Sequence, residues 1–291
     1  MKIIQPKVEL WKQGEDVKAH VARCARVCYG RESGNDEVTY NGLIKNHHWS
    51  MFRHETVYAM IPINFWNIIL QFVLKYYEES PYVKWVTFKE HLYIVTNGNF
   101  LLDIKDNNPV LYKYISNYRV CEKEFLSCEW AYLHLARYTF CIDTQISTSR
   151  ELNRVSPNNI AEQSTRYVHE DGTICKPHWM SDEKAKYYND AIYVDIRDGI
   201  LDSKDYMYLM SCKDSFNNYE KLIKEGMLRQ DARGILPLDT ATRCVYTYSI
   251  DEWRAILDLR YYGTTGEPHP NAKIIAGMIR NELMELGYKF K

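Results

Sequence analysis

The densest group of polar side chains lies in the segment 150–167, RELNRVSPNNIAEQSTRY, which holds three arginines and two glutamates. Arginine presents a planar fork of N–H donors that fits a phosphate or a carboxylate. Ser164 and Arg166 are two residues apart, so they would face the same side of an extended segment. The segment therefore predicts a phosphate-binding site. The alternative is an exposed helix end that carries surface ion pairs.

A second candidate is Arg260, which completes a stripe of apolar residues with helical spacing, Trp253, Ile256 and Leu257. A cation on the apolar face of a helix must be paired, reach solvent or face a ligand. Arg233 precedes Ile-Leu-Pro, where the proline marks the transition from a helix to a strand. Both arginines are candidate ligand contacts.

Histidines and cysteines are the remaining residues that could hold a metal. His47, His48 and His54 cluster in the sequence, but their spacing matches no zinc motif. Cys24 and Cys28 are one helical turn apart, yet no second pair completes a tetrahedral site. We predict a polar pocket wall at the histidines, reduced thiols and no metal site.

Hydrophobic periodicity gives the elements that position these residues. It predicts a strand over 56–65, a short strand from Phe140 followed by a helix up to Pro157, and helices over 16–29, 216–229, 250–261 and 271–287. Asn97-Gly98 separates two β-like runs, which predicts a β-hairpin over about 83–104. Strands that alternate irregularly with helices predict a mixed α/β or α+β fold, and without a linker or repeat we expect one domain over 1–291.

Composition excludes several classes of protein. A chain of 291 residues that is 46% hydrophobic can bury a large core. The 37 Lys and Arg against 38 Asp and Glu give a net charge of −1, which disfavours a nucleic-acid polymer or a polybasic membrane anchor. No apolar run reaches the ~18–20 residues of a membrane span, and the opening segment lacks the apolar block of a secretion signal. We therefore expect a soluble, cytoplasmic protein.

Four motifs, taken in order, resemble the flavin-dependent thymidylate synthase family. They are HWSMFRH at 48–54, SRELNR at 149–154 followed by EQSTRY at 162–167, ARGILPL at 232–238, and EW at 252–253 followed by LR at 259–260. The match covers about 16–63 and 138–286, and 64–137 is predicted to be an insertion that contains the hairpin. The resemblance implies a homotetramer with active sites at subunit interfaces. It also implies C5 methylation of dUMP, with methylenetetrahydrofolate as carbon donor, FAD as cofactor and NADPH as electron source.

The same resemblance implies roles for individual residues. Arg260 matches the catalytic arginine that polarises the uracil ring, and Arg233 would reach the nucleotide from another subunit. The other nucleotide contacts would be Glu151, Arg154, Glu162, Gln163, Ser164, Thr165 and Arg166. The cofactor positions would be His48, Ser50, Arg53, Arg154, Val155, Ser156, Glu162, Ser249, Asp251 and Ala255.

The chain departs from the family mainly at the cofactor positions. The family reads R-H-R where this chain has Arg154, Val155 and Ser156, so two cations are lost. Arg53 replaces a glutamate, and Ser249 and Asp251 replace an N-x-R motif; Ala255 replaces a longer polar side chain. Each charged hydrogen bond lost should weaken FAD binding by ~1.5–3 kcal/mol. The nucleotide positions mostly keep their character.

Three functions are consistent with this pattern. The first is a flavin-dependent enzyme that methylates dUMP. The second is a related enzyme with weakened or lost FAD binding, in which water captures the transferred carbon and gives a dUMP or dCMP hydroxymethylase. The third is a non-catalytic nucleotide-binding protein. Arg260 favours an enzyme, because phosphate capture alone needs no cation beside the ring.

Overall fold

The structure is a computed structural model that describes residues 1–65 and 73–290. Its strands are β1 Lys2–Ile4, β2 Lys7–Trp11, β3 Thr56–Pro62, β4 Lys84–Phe88, β5 His91–Asn97, β6 Arg119–Val120, β7 Arg137–Gln145, β8 Ile160–Glu162, β9 Thr173–Cys175 and β10 Ala241–Ser249. Its α-helices are α1 Val17–Val27, α2 Asp36–Lys45, α3 Gly98–Asn107, α4 Pro109–Asn117, α5 Glu122–Phe125, α6 Glu129–Leu135, α7 Ile146–Leu152, α8 Asp182–Asp190, α9 Ser203–Lys224, α10 Arg229–Ala232, α11 Ile250–Arg260 and α12 Pro270–Glu285. The mixed α/β class is confirmed.

An antiparallel sheet in the order β2-β7-β10-β8 carries most of the candidate residues. Strand β7 pairs with β10 from Arg137 opposite Ser249 to Gln145 opposite Ala241. Side chains alternate across β7, so Phe140 packs with Trp253 of α11 in the main hydrophobic core, on the face opposite α1. Burial of an aromatic side chain such as Trp253 stabilises the fold by roughly 1.5–3 kcal/mol. The core thus fixes α11 on the sheet.

A second antiparallel sheet, in the order β4-β5-β3-β6, lies mostly within the predicted insertion. Residues 66–72 of that insertion lie outside the described residues. The hairpin between β4 and β5 turns at Lys89 and Glu90, and Lys89 has a φ of 52°. The predicted turn at Asn97-Gly98 is therefore wrong. Asn97 instead caps α3 by accepting a hydrogen bond from the Phe100 N–H, a position where asparagine is also strongly favoured.

The predicted helices differ from the observed ones mainly at their ends. Helix α1 begins after Asp16, whose carboxylate accepts from the Ala19 N–H. Helix α9 begins earlier than predicted, at Ser203, because Asp202 and Asp205 form a capping box there that the apolar stripe does not reveal. The strand predicted over 56–65 ends at Pro62. None of the described helices is long and apolar enough to span a membrane.

Candidate functional site

Arg260, at the last turn of α11, meets the end of α7. Its Nε donates to the Glu151 carbonyl oxygen at 2.6 Å, and its Nη2 lies 3.1 Å from Glu151 Oε2. Arg154 Nη2 lies 3.1 Å from the same carboxylate oxygen. The Glu151 carboxylate is thus held between two guanidinium groups. The structure brings these three predicted residues together. We call them the ring cluster, after the contact with the uracil ring that the resemblance implies for Arg260.

The environment of Arg260 is only partly open to solvent. Its side chain is 12% exposed. Burial and then the neighbouring Arg154 lower the pKa of Arg260, whereas the Glu151 carboxylate opposes this shift. A guanidinium remains protonated at any physiological pH. The ring cluster therefore contains a mostly buried cation whose charge is offset by one carboxylate.

A second group of predicted residues lies around the loop that follows β8. Arg233 Nη1 donates to Thr165 Oγ1 at 2.9 Å, and Arg233 Nε donates to the Gln230 carbonyl oxygen at 3.1 Å. Arg166 Nη2 donates to Gln230 Oε1 at 3.3 Å. Neither guanidinium forms an ion pair with any described residue. We call Ser164, Thr165, Arg166, Gln230 and Arg233 the anion cluster, because two uncompensated arginines favour a phosphate.

The loop itself is a turn, so the expectation that Ser164 and Arg166 lie on one extended face is wrong. The Ser164 carbonyl oxygen accepts from the N–H groups of Tyr167 at 3.1 Å and Val168 at 2.9 Å. Ser164 Oγ accepts from the Arg166 N–H at 3.3 Å. Ladder pairing of β8 with β10 ends at Glu162; the Gln163 N–H still donates to the Arg243 carbonyl oxygen at 2.8 Å, and the Ser164 N–H donates to that of Cys28 at 3.1 Å. Arg233, expected from another subunit, contacts this loop of its own chain.

Glu162 is anchored by residues that the sequence did not reveal. Its Oε1 accepts from Ser149 Oγ at 2.7 Å and from Thr242 Oγ1 at 3.2 Å. Burial raises the pKa of Glu162, and both hydroxyls partly offset that effect. Gln230 of the anion cluster was also missed, although it lies three residues before Arg233 at helical spacing. Hydroxyls and amides near a charged motif give too common a sequence signal to single these residues out.

Two predicted cofactor residues, His48 and Ser50, line a cavity of about 320 Å³ together with Cys28 and Trp49. Arg53, the third predicted residue of this motif, points elsewhere. Its Nη1 donates to the Asn158 carbonyl oxygen at 3.2 Å, and its guanidinium lies 5.2 Å from the Tyr82 ring centroid. The predicted insertion therefore contacts a predicted cofactor position.

Other predicted cofactor positions are also engaged within the chain. Ser249 is 2% exposed, caps α11 in a capping box with Glu252, and accepts from Lys84 Nζ at 3.3 Å. Asp251 is paired with Arg254 at 2.7 Å. Val155 packs against the main core, and Ser156 and Ala255 are exposed.

Three positions at which the resemblance implies FAD contacts are therefore engaged within the chain. Arg53 Nη1 and Ser249 have partners in the chain, whereas Arg53 Nε is buried without one. Asp251, where the resemblance implies a cofactor contact, is acidic and paired with Arg254.

Comparison with curated proteins gives no match. Among solved structures, the chain is similar to a UMP/dUMP methylase, PolB from Streptomyces cacaoi, bound with 5-Br dUMP or with 5-Br UMP. Both comparisons have 15% sequence identity and cover 98% of this chain. They cover 93% and 92% of the other chain, with TM-scores of 0.45 and 0.46. The likeness is distant in sequence and in geometry.

The family model described as thymidylate synthase complementing protein matches residues 116–286, which is more than half of the chain. The match contains the ring cluster, the anion cluster and the R-V-S departure at 154–156. It also takes in 116–137, the end of the predicted insertion. The chain therefore belongs to the flavin-dependent thymidylate synthase family.

Proposed function

We propose that this protein transfers a one-carbon unit from methylenetetrahydrofolate to C5 of dUMP. Family membership supports an enzyme that modifies C5 of a pyrimidine nucleotide, and dTMP is the product it favours. The observation that carries the proposal is the ring cluster, in which Arg260 and Arg154 converge on Glu151. A partly buried guanidinium is the group needed beside a ring that must accumulate negative charge.

The anion cluster would hold the nucleotide phosphate. Arg166 and Arg233 lack carboxylate partners among the described residues and approach one another through Gln230. A phosphate that accepts from both guanidiniums would gain charge-assisted hydrogen bonds without displacing an ion pair. No hydrogen bond or ion pair of the described residues joins the anion cluster to the ring cluster. We therefore propose that a site combines clusters from different subunits of a homotetramer.

The ring cluster would activate the base. Uracil C5 is a weak nucleophile until charge develops on the ring, and Arg260 against the O2/N3 edge would stabilise that charge in a site with little water. Glu151 must first release one guanidinium edge to the ring. C5 then bonds to the methylene carbon as one of its two C–N bonds to the folate opens. The C5 proton passes through water to the folate nitrogen as the second C–N bond breaks, so tetrahydrofolate departs and leaves an exocyclic methylene group.

The last step distinguishes two products. Formation of the methyl group requires a hydride, which FAD and NADPH supply in the family. Formation of a hydroxymethyl group requires only water, which adds to the methylene carbon, so no reductant is consumed. The contacts of Arg53, Ser249 and Asp251 within the chain favour hydroxymethylation as the second candidate.

Mass analysis of the nucleotide product tests the proposal. Purified protein would be incubated with dUMP and methylenetetrahydrofolate, with and without FAD and NADPH, and dCMP would replace dUMP in a parallel reaction. dTMP that depends on FAD would support the methylase, and a hydroxymethyl product without FAD would support the second candidate. Binding of dUMP without any product would contradict both and leave a nucleotide-binding protein. The visible spectrum after saturation with FAD and desalting reports flavin retention independently.

A further inference from the structure

A cavity of about 670 Å³ lies beside the segment 163–171, separate from the ring and anion clusters. Glu162 turns towards Ser149 of α7, whereas the next residue, Gln163, lines this cavity. Val168 and Glu170 continue the same wall. The volume is within the range of small-molecule sites.

Glu170 is a buried carboxyl group in the wall of this cavity. The residue is only 5% exposed, and its Oε1 is buried without a hydrogen-bond partner. The Gln163 amide donates to the Glu170 carboxyl group, so one side of the carboxyl is already supported. A buried carboxyl oxygen without a donor is costly, because it has lost water and gained nothing in return. A ligand N–H group would satisfy it once the side chain turns this oxygen towards the cavity.

The cations of the same wall fall into two sets. Lys7 is paired with Glu9, and Arg243 is paired with Asp143 and with Glu32. These groups compensate one another and attract no further charge.

Arg23 and Arg31 form the other set, since neither has an ion pair with the residues described. The Arg23 guanidinium lies 3.6 Å from the Trp11 ring centroid, so its plane covers the indole. A guanidinium held in this way presents its outer face for a heterocycle to stack on. Arg31 remains available for an anion beside it.

We propose that this cavity is a second nucleotide site, which binds a nucleoside monophosphate. A ring N–H or amino group of the base donates to Glu170, the base stacks on Arg23, and the phosphate meets Arg31. All three groups line one cavity, Glu170 Oε1 has no hydrogen-bond partner, and neither arginine has an ion pair with a described residue. This proposal does not depend on the reaction proposed above.

Variants in the anion cluster and in the cavity test the second site, with the number of nucleotides bound per chain measured by calorimetry. Arg166→Ala impairs the anion cluster, so calorimetry on that variant reports the second site. The probes are dUMP, dTMP, dCMP, dAMP and dGMP, with ribose 5-phosphate as a control that lacks the base. We expect at least one nucleotide to bind near one equivalent per chain, at least tenfold more tightly than ribose 5-phosphate. Adding Glu170→Gln or, separately, Arg31→Ala should weaken that binding at least tenfold.

The outcomes separate this site from the proposed function. Failure of all five nucleotides to bind the Arg166→Ala variant would overturn the second site. Equally tight binding of ribose 5-phosphate would also overturn it. So would an unchanged nucleotide affinity after Glu170→Gln is added, provided that the variant still unfolds cooperatively. If wild type and Arg166→Ala instead bind dUMP identically at one site that Glu170→Gln removes, the second site stands and the anion cluster is wrong.

Discussion

A buried histidine makes the stability of this protein depend on pH in a way that a single substitution isolates. His20 of α1 is 4% exposed, and its Nε2 lies 3.3 Å from Thr139 Oγ1. Burial and then the charge of Arg23 lower its pKa to about 4, against about 6.5 for an ordinary histidine. Between pH 6.5 and pH 4, the unfolded chain therefore binds a proton at His20 that the folded chain does not bind. Stability is present above pH 6.5 and is lost as the pH falls towards 4.

The size of the effect follows from the two pKa values. At pH 7.5 both states are mostly neutral at this position. At pH 5 the unfolded histidine is almost fully protonated and the folded one is not, which lowers the free energy of unfolding by about 2 kcal/mol. The loss reaches about 3 kcal/mol near pH 4.

Urea unfolding of wild type and His20→Gln at pH 7.5 and pH 5 measures this loss. Glutamine keeps a polar group at this buried position but does not titrate. When the pH falls from 7.5 to 5, the free energy of unfolding of the variant should therefore rise by about 2 kcal/mol relative to that of wild type. His54 is also buried, and burial is the largest cause of its pKa of about 3; His20 is a smaller cause that the substitution removes. Burial is the same in both proteins, so folded His54 should stay neutral at pH 5 in each.

The Glu170→Gln variant provides a comparison in which the pH dependence of stability should have the opposite sign. Burial raises the pKa of Glu170 to about 7, so this carboxyl contributes stability at low pH that is lost as the pH rises through 7. The Glu170→Gln variant should therefore gain about 2 kcal/mol relative to wild type when the pH rises from 5 to 7.5. The reasoning from burial would be refuted if the free energy of unfolding of either variant, relative to wild type, did not change with pH. It would also be refuted if this quantity changed in the same direction for both variants.

Other expectations concern the site and its supports. Arg260→Ala should abolish turnover while dUMP still binds through its phosphate, and Arg260→Lys should restore little because a lysine cannot present two donors to one ring edge; unchanged turnover would remove the ring role. Arg166→Ala should raise the Kd for dUMP at least tenfold by calorimetry, and an unaltered Kd would count against the anion cluster. Ser249→Ala removes the cap of α11 and should lower the free energy of unfolding by about 1 kcal/mol, whereas the exposed Ser156→Ala should change it by less than about 0.5 kcal/mol. Sedimentation should show a tetramer, and a stable, active monomer would contradict the shared site.

The sequence predicted what depends on local pattern. The stripe of Trp253, Ile256 and Leu257 places Arg260 correctly at the end of a helix, because one helix face is buried and periodicity reports it. It did not predict that Glu151, 109 residues away, would hold this arginine. Pairing across that separation is decided by how α7 and α11 pack together, which no local pattern contains.

Asn97 and Glu170 illustrate two other limits. Asparagine before glycine suits both a tight turn and a helix cap, and here the helical spacing of Phe100, Leu101 and Ile104 decides the outcome. The burial of Glu170 has no signal in composition, since an acidic pair before glycine is typical of an exposed loop. Only tertiary packing removes it from water.

Ser249 links α11 to the second sheet through its contact with Lys84. Helix α11 spans 11 residues, or about 16 Å, with the Lys84–Ser249 contact before its first turn and Arg260 in its last. Trp253 anchors this helix in the main core between the two contacts. The second sheet and the ring cluster are therefore attached to opposite ends of one anchored helix, although the second sheet contributes no atom to the ring cluster.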